Sequence, residues 1–446
     1  MPDKSLIWFR KNLRVFDNKC LSKALTESQE VIAIYVIDER LFEMTPYGFK
    51  RASEFRLKFL YESLINLKNN LAMMNLDLII LEGNSFQQIS KIINSLKITD
   101  VYYEKDIAFE ERQLEKQLKR NFRDIKFHKH NANYIFDYEE VKSRVRKLPD
   151  TFTKFRKDYE KSYLSAEKKL LPVQYEYTAK QIDFKQELTA FQKSQTSSES
   201  NLKIANDLTE RIDKFSIQAD PRATFVYQGG ENVGLDRIKQ YIWEQKSIKR
   251  YKKTRNELMG RNFSSRFSAW LSLGCISMNH VIYEIEKFEK QELENDSTYW
   301  LKFELLWREY FRLLYGKYKI DIFKLKGPHD RDTHSGLDTE LCNKWMTGKT
   351  GEAFIDANMI SLNYTGYMSN RGRQNVVSYL IHDLKQDWRF AASYFEHMLI
   401  DHDVFSNWLN CSYIAGLVAT EKPHIFNIQK QAETYDPKRK FQKHWL

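Results

Sequence analysis

Between residues 365 and 416 the chain reads TGYMSNRGRQ, then DWR, then LIDHDVFSNWLN and SYIAG. Asn370, Arg371, Arg373, Asp401, Asp403 and Asn407 fall there, in a stretch that otherwise reads as apolar helix. A polar group left unpaired among core residues is costly, so these side chains must pair with one another or with a ligand. Two readings are open: an internal salt-bridge network that ties helices together, or a cradle for a large polar cofactor head group. Earlier in the chain, Tyr251 precedes a Gly-bounded turn, and Ser264, Ser265 and Ser268 are expected to open the helix FSSRFSAWLSLG. Hydroxyls and free N–H groups at a helix N-terminus make a phosphate site, although a single serine acting as N-cap satisfies the same pattern. Over 297–315, Glu304, Trp307, Arg308 and Arg312 recur at three- and four-residue spacing and project from one helix face. An intrahelical Glu304–Arg308 pair is the plain structural alternative, worth only about 0.2–0.5 kcal/mol.

The elements that must carry these residues divide the chain. Apolar, β-branched runs at 5–9, 31–37, 76–81 and 101–103 alternate with amphipathic segments at 50–72, 85–97 and 110–121. Continuous apolar strands separated by helices predict a parallel sheet covered on both faces, so residues 1–130 are expected to form a Rossmann-like α/β domain. No GxGxxG follows the first strand, which leaves a dinucleotide-binding reading of this half without support. Residues 131–220 lose the alternation and are expected to be an interdomain connector, with QKSQTSSES at 192–200 as its most turn-prone stretch. From 221 to 446 helical periodicity dominates, at 232–246, 278–292, 297–315, 338–346 and 374–400, which predicts an all-helical domain.

A chain of 446 residues has room for two substantial cores. The 71 Lys and Arg against 60 Asp and Glu give a net charge of +11, which favours a polyanionic partner, although a Lys-rich solvated surface accounts for the same number. Cys20, Cys275, Cys342 and Cys411 are far apart and form no CxxC pair, so neither a disulfide framework nor a metal site is indicated, and a reducing, cytoplasmic setting is expected. The charged start MPDKSLIWFRKNLR is no signal peptide, and no window reaches the length of a membrane span. Aromatic residues reach 14%, an excess that serves a core and equally serves stacking on flavin or nucleobases.

The 365–416 run, together with WFRKNLRVFDN, LPDTFTKFRKDYEK, GGEN, YKKTRNELMG, FSSRFSAWLSLGCIS, STYWLKFELLWREYFR, MTGKTGEAFIDANM and FNIQKQAETYDP, resembles the photolyase/cryptochrome family, and most of all cryptochrome DASH. The resemblance implies a helical FAD-binding domain in the second half. It implies that Tyr251, Ser264, Ser265 and Ser268 hold the FAD pyrophosphate, and that Arg308 lies near the flavin. By the same resemblance Arg373 and Asp401 form a salt bridge beside the ring, Asp403 accepts a hydrogen bond from it, and Asn407 stands beside flavin N5. Glu304, Trp307, Asn370, Gln374 and Tyr413 are implied to line a pocket for a flipped pyrimidine dimer. The implied activity is blue-light-driven repair of cyclobutane pyrimidine dimers by electron donation from reduced FAD, in single-stranded DNA, by a monomer. The alternative is a flavin photoreceptor that binds nucleic acid and signals without repair. The match runs to Leu446 without the long tail usual in signalling cryptochromes, which points toward the enzyme, and TGYMSNRGRQ lacks the histidine in which (6-4) enzymes resemble one another.

Two departures stand out. Of the three tryptophans that relay electrons in most relatives, the resemblance retains Trp388 alone; Cys411 takes the flavin-proximal place and Ser335 the distal one. Slow photoreduction is therefore expected, with Trp408 or Tyr413 as the partial substitute if there is one. The run LVATEKPH at 417–424 also departs from the family's GVGxDPR. A methenyltetrahydrofolate antenna is a further implication, with Glu111 in FEERQLE as its acidic ligand, or else as an ordinary exposed helix glutamate.

Overall fold

The computed structural model describes residues 4–163 and 202–446 apart from Ala132, Asn206 and Glu421, so the 192–200 segment lies outside the described residues. Five strands, β1 (Lys4–Phe9), β2 (Glu30–Asp38), β3 (Leu78–Gly83), β4 (Asp100–Glu104) and β5 (Lys126–His130), form one sheet in the order β3-β2-β1-β4-β5. All pairings are parallel. Side chains alternate between two buried faces, as the pleat requires. Leu6, Trp8, Ile34 and Val101 meet Ile89, Ile92 and Leu118 on one side. Ile7, Phe9, Ala33 and Tyr102 meet Leu21, Leu57 and Leu64 on the other. The helices Glu54–Ala72, Ser85–Leu96 and Phe109–Asn121 match the amphipathic segments.

Two elements of this sheet layer were not expected from the sequence. KFHKH carries no apolar run because β5 is a half-exposed edge strand, and lysines on an edge oppose pairing with other chains. The short helix Lys19–Glu27 follows a loop whose Asn18 caps it by accepting from Leu21 N–H.

The stretch after residue 130 differs from a surface crossing. Tyr134, Phe136, Phe152 and Phe155 are buried against Tyr310, Phe311 and Leu314 of the long helix Asp296–Tyr318, because this segment carries enough aromatic surface to join a core of its own. The remaining described part of the predicted connector includes the helix Leu208–Asp213. Beyond it the chain is helical. The predicted helix over 374–400 is two: Asn370–Ser378, which runs into a π-helical turn at Tyr379–Asp383, and Trp388–Met398. Lys385 breaks the run at φ 57°, and Asp387 restarts it by capping Arg389 N–H. The helices Ala353–Thr365 and Val404–Ile414 complete the layer around the site.

The two halves are locked by backbone. Leu13 N–H donates to Leu273 O at 3.1 Å and Arg14 Nη1 to Gly274 O at 2.9 Å. Gly274 has φ 66°, and a Cβ there would stand 1.8 Å from Lys11 O, so only glycine lets the helical half sit this close to the sheet's β1 loop. The GGEN motif acts in the same joint. The buried Glu231 carboxylate accepts from Val15 N–H, Phe16 N–H and Asn70 Nδ2 at 2.7–2.9 Å.

Candidate functional site

The 365–416 residues do converge. Arg373 Nη2 lies 2.9 and 2.8 Å from the two carboxylate oxygens of Asp401, while its Nε donates to Met368 O. Asp401 leaves 2% of its side chain exposed and Arg373 23%, so this is a largely desolvated pair held in place by a third hydrogen bond. Asp403 caps the helix Val404–Ile414, with Oδ1 accepting from Ser406 N–H at 2.8 Å. Its Oδ2 is buried without a hydrogen-bond partner among the described residues, 3.8 Å from Arg308 Nη2. The Arg308 guanidinium, with Lys11, holds the Asp403 carboxyl below its usual range against the opposing effect of burial. Asn407, one turn on, donates to Ala392 O at 2.8 Å. Asn370, Arg373, Gln374, Asp401, Asn407 and Cys411 line one pocket of about 40 Å³.

On the helix Asp296–Tyr318, a capping box between Asn295 and Thr298 fixes the start. The intrahelical Glu304–Arg308 pair that stood as the plain structural alternative is not formed. Glu304 pairs instead with Arg255, from the YKKTRNELMG motif, because that guanidinium approaches from outside the helix and leaves Arg308 free to turn inward. Burial pushes the Glu304 carboxyl up, opposed by Arg255. Arg308 donates to Asn133 O and Leu271 O at 3.0 and 3.2 Å and lies over the Tyr134 ring, which Arg312 also covers. Arg312 is not part of the pocket: it is buried and paired with Glu309. Trp307 stacks on Phe152 at 3.8 Å and 15°, and meets Tyr413 edge-on at 5.8 Å.

The serines are arranged differently from the expectation. The helix begins at Ser268, with Phe267 before it and no side-chain cap, so Ser264 and Ser265 precede the helix and do not open it. The reason is Arg266, buried at φ 64° between Phe263 and Tyr367, which turns the chain before the helix can start. Ser264 O and Ser265 O hold the Arg237 guanidinium at 3.1 and 3.0 Å, while Ser268 is exposed. Tyr251 is buried, and the neighbouring Glu304 helps raise its hydroxyl pKa, though burial is the larger cause. Arg266 and Arg373 both face the Tyr367 ring, at 4.7 and 5.4 Å, so a second buried cation joins the cluster.

Sequence reasoning passed over Arg255, Phe152, Arg266 and His424. The first three lie inside quoted motifs but nothing in their spacing singles them out. His424 lies 4.2 Å from Tyr413, ring to ring, and its N–H donates to Ile414 O. That contact is made by the LVATEKPH segment, which thus touches the ring that meets Trp307. Glu111 lies apart from all of these. It lines a second, larger cavity of about 470 Å³ between the sheet and the helical half, and its carboxylate is 3.4 Å from Lys11 Nζ. Among the described residues no group of His, Cys, Asp and Glu could hold a metal, and no helix is long and apolar enough to cross a membrane.

The fold is thus a parallel α/β layer joined to a helical layer that holds a buried carboxylate with flanking cations. Residues 5–174 match the DNA photolyase family model, and residues 300–446 match the FAD binding domain of DNA photolyase. Cryptochrome DASH of Synechocystis is 36% identical over all of this chain and 88% of its own length, and that of Gloeobacter violaceus 36% over 99% and 85%. A crystal structure of a Synechocystis cryptochrome superposes with a TM-score of 0.87 at 35% identity, covering 100% of this chain and 89% of that one. The chain belongs to the photolyase/cryptochrome family, and its cofactor is FAD. The observed groups fit that cofactor: Asp403 Oδ2 is a buried anionic acceptor in want of a donor, and Arg308 and Arg373 supply the countercharge.

Proposed function

We propose that this protein repairs cyclobutane pyrimidine dimers in single-stranded DNA under blue light. Bound, fully reduced FAD supplies the light-driven electron that opens the dimer and recovers it afterward. The chain's own residues position and tune. Asp403 Oδ2 accepts from the flavin ring, with Arg308 as its countercharge. The Arg373–Asp401 pair fixes the pocket floor, and Asn407 stands at the ring edge. Tyr251 and the Ser264–Ser268 segment face the phosphates. Trp307, backed by Phe152 and crossed by Tyr413, offers an aromatic face to an extruded base, while Glu304, Asn370 and Gln374 meet polar base edges.

The observation that carries this reading is the adjacency of two walls on one helix. Arg308 turns toward Asp403, and the residue before it, Trp307, turns toward Phe152 and Tyr413. A lesion stacked on Trp307 therefore lies beside the flavin pocket. The net charge of +11 supplies attraction for the phosphate backbone. We take the domains as 1–130, 131–220 and 221–446 and the protein as a monomer in a reducing compartment, where four free, buried cysteines persist. The 470 Å³ cavity lined by Glu111 is the place for a folate antenna.

The test is repair of a thymine dimer in a single-stranded oligonucleotide under blue light, with the flavin reduced chemically beforehand. Light-dependent loss of the dimer is the expected result. A flavin-loaded, fully reduced protein that leaves the dimer intact would instead be a photoreceptor.

A further inference from the structure

Phe152, which stacks on Trp307 at 3.8 Å, belongs to a strongly basic stretch. Residues 142–157 hold seven Lys and Arg against one acid, Asp150, a balance of +6 beside the whole chain's +11. Asp150 is itself answered, because Lys317 Nζ lies 2.7 Å away and the Tyr318 hydroxyl also donates to it. Lys142 and Arg156, near the ends, are held by Glu139 and Glu160 at 3.4 and 3.6 Å. Arg144, Arg146, Lys147, Lys154 and Lys157 are exposed and make no ion pair among the described residues. A second run, 246–261, has the same seven-to-one balance, but Glu292, Asp296 and Glu304 pair with four of its cations. Its charge is largely answered from within the fold, and that of 142–157 is not.

The helix Phe152–Tyr163 joins this charge to the aromatic wall. Phe152 and Phe155 are buried against Tyr310, while Lys154 and Lys157, three residues apart, share the outward face. Like charges held this close repel one another, and a polyanion relieves that repulsion. We propose that the exposed cations of 144–157 are the track for the phosphates of a single DNA strand, which the buried side of the same segment ties to the Trp307 wall. The track rests on the nucleic-acid binding of the preceding section and not on repair. Each cation that meets a phosphate releases a condensed counterion, and such contacts carry no sequence information. The track therefore holds damaged and undamaged strands alike, and discrimination is left to the Trp307 wall.

The test is fluorescence anisotropy of the flavin-loaded protein with a lesion-free single-stranded oligonucleotide, over a series of salt concentrations. The logarithm of the binding constant falls linearly with that of salt, by about 0.7 for each phosphate contact on a single strand. Arg146→Gln, Lys154→Gln and Lys157→Gln combined should therefore flatten the slope by about 2, and Lys154→Gln alone by about 0.7. Lys68→Gln, Lys116→Gln and Arg120→Gln combined, all exposed on helices of the sheet layer, change the net charge equally and should leave the slope as it is. Equal flattening by both sets would mean attraction by net charge alone and would overturn the track, as would an unchanged slope in the first set. A first set that keeps the wild-type slope but no longer binds anionic-lipid vesicles that the wild type binds would assign the face to a membrane instead. Weakening confined to lesion-bearing strands would move these residues into the lesion pocket and end the proposal. Wild-type protein that binds lesion-bearing and lesion-free strands equally, with the slope effect intact, would count against the repair reading and leave the track in place.

Discussion

Asp403 Oδ2 stands 3.8 Å from Arg308 Nη2, buried and without a hydrogen bond among the described residues, while the other oxygen of the same carboxylate caps a helix. One side chain thus fixes the start of Val404–Ile414 and keeps a second, buried acceptor oxygen beside the Arg308 guanidinium. Asp403→Asn keeps a capping oxygen and removes the charge, so folding should survive. FAD affinity should fall by about 1.5–3 kcal/mol, roughly ten- to a hundredfold, the range for a hydrogen bond to a charged group. Flavin-to-protein absorbance after gel filtration measures it, and full retention would remove Asp403 from the flavin site.

Trp307 should act on substrate and not on cofactor. Trp307→Ala leaves Arg308 and Asp403 in place and deletes the ring that Phe152 supports. Binding of dimer-containing single strands should weaken by about 1–3 kcal/mol, the worth of one stacked base. Fluorescence anisotropy with lesion-free and lesion-bearing oligonucleotides checks this. A loss equal for both would place Trp307 outside the lesion pocket.

The Arg373–Asp401 pair should matter far more to stability than its surface counterparts. Arg373→Ala strands a carboxylate that is 2% exposed, and truncating one partner of a buried pair costs about 3–5 kcal/mol, here nearer the lower end because Arg373 itself is 23% exposed. Lys344→Ala, which breaks the exposed pair with Glu340, should change stability by no more than about 1 kcal/mol. Urea denaturation midpoints of the two variants make the comparison.

Glu104 links stability to pH. Burial pushes its carboxyl from 4.5 up to about 8, and neither carboxylate oxygen has a hydrogen-bond partner among the described residues. Between those two values the folded protein holds a proton that the unfolded chain has released. Stability from this group therefore falls as pH rises through that window, by up to about 1.4 kcal/mol per pH unit. Glu104→Gln removes the linkage, so its melting temperature relative to wild type should climb between pH about 5 and about 8. An offset that stays constant with pH would show that Glu104 is ionised in the fold.

Gly274→Ala tests the joint between the halves. The φ of 66° alone costs about 1–2 kcal/mol for a residue with a Cβ, and the clash with Lys11 O adds to it. Limited proteolysis should reach the interdomain loops sooner than in the wild type, and an unchanged cleavage rate would show that the joint can yield.

Four strands were legible in the sequence because a parallel sheet buried on both faces must be written in continuous apolar runs. β5 was not, since an edge strand needs no such run. Helix periodicity showed the length of Asp296–Tyr318 but not the break near Lys385, where a positive φ and a new cap at Asp387 decide the matter. In the site, the polar types at 370–407 announced that burial would force them to pair. Their spacing could not say with what.

The sequence by itself determined the class of each half, because period and composition are local properties of the chain. It determined too that Arg373, Asp401 and Asp403, set among apolar helix, needed partners in one another or in a ligand, because an unpaired buried charge is costly. Only the tertiary structure decided that Glu304 turns to Arg255 and not to Arg308, and that Phe152 backs Trp307 from a segment 155 residues earlier. Each of those contacts joins residues far apart along the chain, and their distance is set by how helices pack, which no local pattern encodes.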